Sequence, residues 1–414
     1  MAGRFPWSLS SPYFLLSFMY GIFSYGIASP RAGYKHRDYI LDLEVIGLLG
    51  YFNDVAIDPV VFARPVLNDF IALGKPVWQA VNERIRQLLA DEQRAFADVR
   101  EQVLIHQSRA RGHLPIRIGN YTDFYAGIHH AENVGRMFRP GGDPLLPNYR
   151  HLPVAYHGRA SSIVVSGTPV RRPQGQFLDG DHVAFGPSRA LDIELELGLV
   201  IGKSNPLGEP VPVDEAEEYI FGVTLFNDWS ARDVQRWEYQ PLGPFLGKNF
   251  ASSISAWIVP LLDLEPFRIA GPRQEPTPLP YLQSDKPGHF DLDLEVILQP
   301  NGSDEIIISR TNARYLYWSF AQMVAHHTIG GCNLQVGDVL ATGTISGDTP
   351  GSDGSLLELT QNGQRPLHVP SGQTRTFLED GDRVTLRGWG FKDGHRADLG
   401  DVAGEILPPF QPNR

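Results

Sequence analysis

Between residues 191 and 199 the chain reads LDIELELGL, apolar at every odd position and acidic at Asp192, Glu194 and Glu196. That period of two predicts a strand with one buried face and three carboxylates sharing the other. Neighbours on one face lie about 6.6 Å apart, so two ionised groups repel by roughly 2.5 kcal/mol at an effective dielectric near 20. A bound cation turns that cost into affinity, whereas a solvated acidic face needs none. Similar patterns predict strands at 39–43, 162–165, 219–226, 290–298, 339–341, 356–360 and 383–387, and MYGIFSYG at 19–26 reads as another. Helical spacing is clearest over 77–97. FDLDLEV at 290–296 copies the acidic alternation and serves as its control. No histidine or Arg/Gln helix accompanies that copy, so Asp291, Asp293 and Glu295 read as a solvated face.

The break at His113-Leu-Pro115 divides the pattern into a small N-terminal domain, 1–113, and a strand-rich C-terminal one, 114–414. With 42 glycines and 33 prolines among 414 residues, many turns and many short strands are expected. Hydrophobic residues make up 42% of the chain, enough to bury a sizeable core. A net charge of −11 with no Lys/Arg cluster argues against a nucleic-acid partner. The single cysteine, Cys332, excludes an intrachain disulfide framework and fits a reducing, cytoplasmic setting. Residues 13–20 have the apolar character of a signal-peptide core. Serines, tyrosines and Pro12 interrupt the region, so it is read as strand rather than as a targeting or membrane segment.

Two further stretches carry chemistry. In GNYTDFYAGIHHAENVGRMFR, Thr122 or Asp123 is expected to cap a helix running to about Val134. Asp123 would then sit at the helix mouth with His130 two turns inward on its face, and His129 pointing away. In the second, a buried strand ends at Asn227-Asp228, and Ser230 to Asp233 reads as a capping box opening the next helix. Arg232, Gln235 and Tyr239 fall on one face of that helix, while Arg236 and Glu238 face solvent. Lys248 follows a Pro/Gly turn with no phosphate loop before it, and neither a GxSxG nor an HExxH motif occurs. Cys332 near His326 and His327 is a rival nucleophile, although a lone cysteine is more simply a small buried hydrophobe.

Taken in order, YTDFY with its following histidine, LPVAYHGRASS, the ELE strand, NDWSARD, WEYQPLGPFLGKNF, HHTIGGCNL and GTISG resemble the motifs of fumarylacetoacetases. These enzymes hydrolyse fumarylacetoacetate in tyrosine and phenylalanine breakdown. The resemblance runs from about residue 20 to the C-terminus. It implies a mainly β fold, an N-terminal SH3-like barrel plus a C-terminal β-sandwich roll, in a homodimer. It also implies calcium on Asp123, Glu194, Glu196 and Asp228, and magnesium near Asp228, Lys248 and Ser252, where a threonine is expected. His130 would be the base supported by Glu358, and Arg232, Gln235 and Lys248 would hold an oxyanion. Tyr125, Arg139, Tyr156, Gln235, Tyr239 and Thr344 would contact the diketo-acid substrate.

The chemistry of these residue types agrees. Oxygen ligands without sulfur suit a hard cation rather than zinc. A 1,3-diketone can chelate such a cation, and an imidazole titrating near neutrality can take a proton from water. Two other readings compete: a related decarboxylase, isomerase or hydratase acting on another 2-oxo or 3,5-diketo acid, and a metal-stabilised binding protein. The first lacks the full YTDFY, HGRASS and PLGPFLGK set, and the second leaves the histidine and oxyanion donors idle.

Overall fold

The computed structural model describes residues 18–411. Among them one 13-stranded sheet runs in the order Leu104–His106, Tyr39–Asp42, Arg31–His36, Met19–Tyr25, Trp257–Pro260, Ile220–Asp228, Leu195–Ile201, Val339–Ala341, Tyr121–Phe124 and Ala155–His157. Ala110–His113, Ser252–Ile254 and Ile163–Val165 pair off that path. A five-stranded sheet built on Asp293–Gln299, Arg383–Lys392 and His395–Leu407 packs against Ile220–Asp228. The fold is mainly β, as the turn-rich composition predicts. Met19–Tyr25 forms the strand expected of MYGIFSYG, while most of the apolar stretch 13–20 lies outside the described residues.

The acidic strand is the central fact of the packing, and it departs from the simple alternation. Leu195, Leu197 and Leu199 enter one apolar core with Val223, Leu225 and Leu294, while Val200 on the opposite face joins a second with Phe226, Tyr20 and Trp78. Both faces are therefore buried, each aliphatic side chain contributing about 1.5–3 kcal/mol, and the carboxylates never meet open water. The strand also comes in two pieces. Leu191–Asp192 pairs with Ser230–Ala231, and Leu195–Ile201 pairs with Ile220–Asp228 and Val339–Ala341. At the break, side-chain oxygens take the backbone donors: Ile193 N–H donates to Asp192 (2.7 Å) and Glu194 N–H to Asn227 (3.1 Å).

Four local expectations are corrected. Residues 356–360 form a helix, Leu356–Leu359, instead of a strand, because Ser355 caps it by accepting from Glu358 N–H. A short apolar run suits either state until its cap is counted. Asp123 is no helix cap: it lies in Tyr121–Phe124, parallel to Val339–Ala341 and opposite Ala341, and the following helix Ile128–Phe138 starts after Gly127 with no side-chain cap. Arg232–Glu238 likewise opens without a capping box, since the Ser230 hydroxyl donates to Asp228 C=O and Asp233 accepts from Ser188 and Arg189. The helix expected over 77–97 is Lys75–Ala90 followed by a separate turn, Glu92–Ala95.

Candidate active site

The middle of the large sheet delivers acids from neighbouring strands to one end. Asp123 lies near the end of Tyr121–Phe124, Glu196 is the second residue of Leu195–Ile201 and lies two past Glu194 in the break, and Asp228 closes Ile220–Asp228. One oxygen from each of these four lies within 4.8 Å of the others, and all four residues are buried. Gly343 makes room for this convergence. Its φ of +74° and the 2.2 Å approach that a Cβ would make to Phe124 C=O exclude a side chain, and its N–H donates to Glu196 Oε2 (3.1 Å).

Cations offset part of the charge. The Lys248 ammonium contacts Glu194 and Asp228 (2.7 Å to the latter), and Arg232 Nη1 contacts Glu194 at 2.7 Å. Ser252 Oγ and Tyr156 Oη donate to the two oxygens of Asp228, at 2.7 and 3.0 Å. The carboxylates respond unequally. Burial, reinforced by Asp228, raises the Asp123 carboxyl well above its ordinary range, and burial with Asp123 and Glu194 does the same to Glu196. At Glu194 burial is outweighed by Lys248 and Arg232, which hold it below that range. The Lys248 ammonium in turn is held above its ordinary range, because Asp228 and Glu194 overcome the effect of burial. Asp123 Oδ1 and Glu196 Oε1 are buried with no hydrogen-bond partner. Two orphaned carboxylate oxygens inside a four-acid cluster fit a hard divalent cation as their missing partner.

Beside the cluster, His130 Nδ1 lies 2.6 Å from Glu358 Oε2. Glu358 also accepts from Asn133 Nδ2 (2.9 Å), Ser346 Oγ (2.9 Å) and Ser355 Oγ (2.6 Å). These donors and His130 outweigh burial and hold the Glu358 carboxyl below its ordinary range. With Glu358 ionised, the proton of the short bond sits on Nδ1, which leaves Nε2 as the nitrogen that can exchange a proton. The Tyr125 ring meets His130 edge-on at 5.3 Å, while His129 packs on Tyr315 instead. The two histidines thus face opposite ways, as expected, although His130 lies in the first turn of its helix rather than two turns in.

The remaining predicted residues divide. Arg232 lies 3.3 Å from Gln235 and has a buried, unpartnered Nη2, and the buried Thr344 hydroxyl is likewise unpartnered. Tyr239 and Arg139 are exposed, Arg139 donating to Pro144 C=O. Glu238 does not face solvent freely: it accepts from Phe245 and Gly247 N–H and pins the loop before Lys248. In the control strand, Asp291 and Asp293 accept from Asn312, and Glu295, expected at a solvated face, is buried against Arg310. Among the described residues the control acids form no metal-sized cluster. Cys332 is exposed, on a separate cavity of about 290 Å³ that it shares with His157 and His327. His326 Nδ1 bonds Tyr281 and His327 Nε2 bonds Thr122, while the Cys332 thiol meets Asn333 C=O at 3.8 Å.

Sequence reasoning missed Asn133, Ser346 and Ser355, the donors to Glu358. Two had signals: Asn133 is three residues beyond His130 on one helix face, and Ser355-Leu-Leu-Glu358 spells a capping box.

Comparison with known proteins gives the same family from two directions. Residues 19–115 match the family described as fumarylacetoacetase N-terminal, and residues 120–406 the one described as fumarylacetoacetate hydrolase C-terminal. The fumarylacetoacetase of Homo sapiens is 47% identical over 401 residues, covering 95% of this chain and 96% of that protein. That of Aspergillus fumigatus is 48% identical over 424 residues, covering 97% of each. Among solved structures, a fumarylacetoacetate hydrolase from Exiguobacterium antarcticum aligns with a TM-score of 0.54 at 18% identity, over 95% of this chain and 100% of that one. A maleylpyruvate hydrolase from Sphingobium aligns at 0.51 and 16%, over 94% and 99%. At such identities these two speak for the fold alone.

Proposed function

The chain belongs to the fumarylacetoacetase family, and on that premise we propose that it hydrolyses fumarylacetoacetate, adding water across a carbon–carbon bond to release fumarate and acetoacetate. The observation that carries this reading is the His130–Glu358 pair set beside a buried four-carboxylate cluster. His130 Nε2 takes a proton from water, and Glu358 stabilises the imidazolium that forms. Arg232 Nη2, with Gln235 and Lys248 beside it, donates to the oxyanion of the tetrahedral intermediate, a role worth several kcal/mol where water is excluded. His130 then returns its proton to the departing carbon. Tyr125, Arg139, Tyr156, Gln235, Tyr239 and Thr344 orient the substrate.

A divalent cation held by Asp123, Glu194, Glu196 and Asp228 would supply Lewis-acid polarisation of a diketone when bound; the all-oxygen donor set suits a hard cation, and calcium is the one the family resemblance implies. Magnesium is assigned beside Asp228, Lys248 and Ser252. There the Lys248 ammonium has no lone pair, so that residue's ligand would be its carbonyl oxygen.

The domain boundary is placed near residue 113, supported by the separate family matches on either side. A homodimer is supported by the hairpin Gln174–Asp179/His182–Pro187, which exposes Leu178, Val183 and Phe185. A cytoplasmic location is supported by the single unpaired cysteine. No helix among the described residues is long and apolar enough to cross a membrane.

The test is loss of fumarylacetoacetate absorbance with calcium present. Turnover of another 2-oxo acid with fumarylacetoacetate untouched would replace this reading with the decarboxylase, isomerase or hydratase one.

A further inference from the structure

Asp192 begins the acidic motif yet stands apart from the cation cluster: it is fully buried, and its carboxylate is spent on other partners. Oδ2 accepts from Arg232 Nε at 2.8 Å and from Leu357 N–H at 3.0 Å. Oδ1 accepts from Leu356 N–H at 2.7 Å and from its own neighbour Ile193. Leu356 and Leu357 open the short helix whose next residue is Glu358, the partner of His130. One carboxylate therefore holds both halves of the proposed machinery, the guanidinium that meets the oxyanion and the turn that carries the base's support. Among the described residues the hydrogen bonds and ion pairs give the two halves no other shared carboxylate anchor. The remaining partners of Arg232 are Glu194 and Gln235, and those of Glu358 are His130, Asn133, Ser346 and Ser355.

We propose that Asp192 is a positioning residue that fixes Arg232 and the Glu358 turn in one register, so that the oxyanion donor and the base act on the same bound substrate. It touches neither substrate nor cation. An ionised carboxylate suits this place because four donors converge on it, and a single neutral amide would turn its N–H groups toward two of them. The inference rests on the proposed reaction and makes a sharper demand than that reaction does.

The experiment is a double-mutant cycle on the full-length, calcium-loaded enzyme. Asp192→Asn should lower kcat about 10²-fold, the scale of a lost oxyanion donor, while calcium affinity and KM change by less than about threefold. In an Arg232→Ala or a Glu358→Gln background the same change should cost clearly less than in wild type, because one of the two groups it aligns is already disabled, and in the background carrying both substitutions it should cost less than about threefold more. A merely structural role predicts equal losses in every background and overturns the proposal, as does a parallel loss of calcium affinity, which would put Asp192 in the cation site. If Asp192→Asn does not accumulate as folded protein, Asp192→Ser enters the same cycle with the same criteria, its hydroxyl and an admitted water replacing the acceptors. Failure of the reaction itself looks different. Wild-type enzyme inert toward fumarylacetoacetate, or Arg232→Ala and Glu358→Gln both fully active, sinks the functional reading before Asp192 is tested.

Discussion

At the scale of single residues, adjacent side chains of one type have opposite assignments. His130 meets Glu358 while His129 packs on Tyr315, so alanine at the two positions separates catalysis from packing. His130→Ala should lower kcat by about 10²–10⁴-fold, the usual range for a lost general base, with calcium binding retained, whereas His129→Ala should stay near wild type. A folded, calcium-loaded and fully active His130→Ala enzyme would remove the histidine from the mechanism. The acids divide in the same way. Glu196 leaves Oε1 unpartnered inside the cluster, and Asp293 on the control strand already has Asn312. Glu196→Gln should weaken calcium binding by roughly 10- to 100-fold or more, since changes one shell further out already cost that much. Without calcium the same variant should melt no lower than wild type, because it deletes a carboxyl that burial disfavours. Asp293→Asn should alter neither property, and equal calcium losses in both variants, read by titration calorimetry, would put the cation on the wrong strand.

At the scale of elements, strand ends bring the acids together, and glycine permits the approach. Gly343→Ala forces a left-handed φ on an L-residue and drives a methyl into Phe124 C=O. The strain alone should cost on the order of 1–3 kcal/mol, and the Gly343 N–H should leave Glu196. Denaturant melts should show the loss, and calcium affinity should fall with it; a variant as stable as wild type would mean that the loop yields freely. What was legible in the sequence follows the same scale. Period-two runs found the central strands Met19–Tyr25, Leu195–Ile201, Ile220–Asp228 and Asp293–Gln299 but not others such as Arg31–His36, Gln174–Asp179 and the longest, His395–Leu407, and the ordered motifs named residues that fold to one place. Capping was less legible, because it depends on partners far away in sequence. Ser230 and Asp233 look like a box but bond Asp228 and Ser188, whereas Ser355 and Glu358 form the cap that was read as strand. Alternation alone places Asp192 together with Glu194 and Glu196. At the break Glu194 N–H is taken by Asn227, 33 residues away, and local periodicity does not carry that.

At the scale of the whole molecule the cluster makes stability depend on pH, and the sign follows from which carboxyls burial has raised. Asp123 and Glu196 are held well above their ordinary range, so the metal-free native protein keeps protons there that the unfolded chain gives up above about pH 4. Folding stability then declines as pH rises from that point until both groups have titrated. Glu194 and Glu358 are lowered and act oppositely: their contribution is complete above about pH 4.5 and is lost only as pH falls through the carboxylate range and below. Across pH 5 to 8 the raised pair contributes a falling slope to the metal-free protein; Asp263 and Asp353, pushed up to about 6 by burial, add to it at the acid end, and His289, pushed down to about 4 by burial, opposes it there. A cation needs those carboxylates ionised, so binding expels their protons and tightens as pH rises. Because a ligand of the native state stabilises by RT ln(1 + [L]/Kd), the rise in Tm produced by a fixed excess of calcium should be larger at pH 8 than at pH 6. Proton release on calcium binding should be measurable in buffers of different ionisation enthalpy. In Glu196→Gln, with one raised carboxyl gone, both the pH slope of the metal-free Tm and the proton release should shrink. A calcium-induced Tm shift that is the same at pH 6 and pH 8, with no proton released, would mean that Asp123 and Glu196 are not where the cation binds.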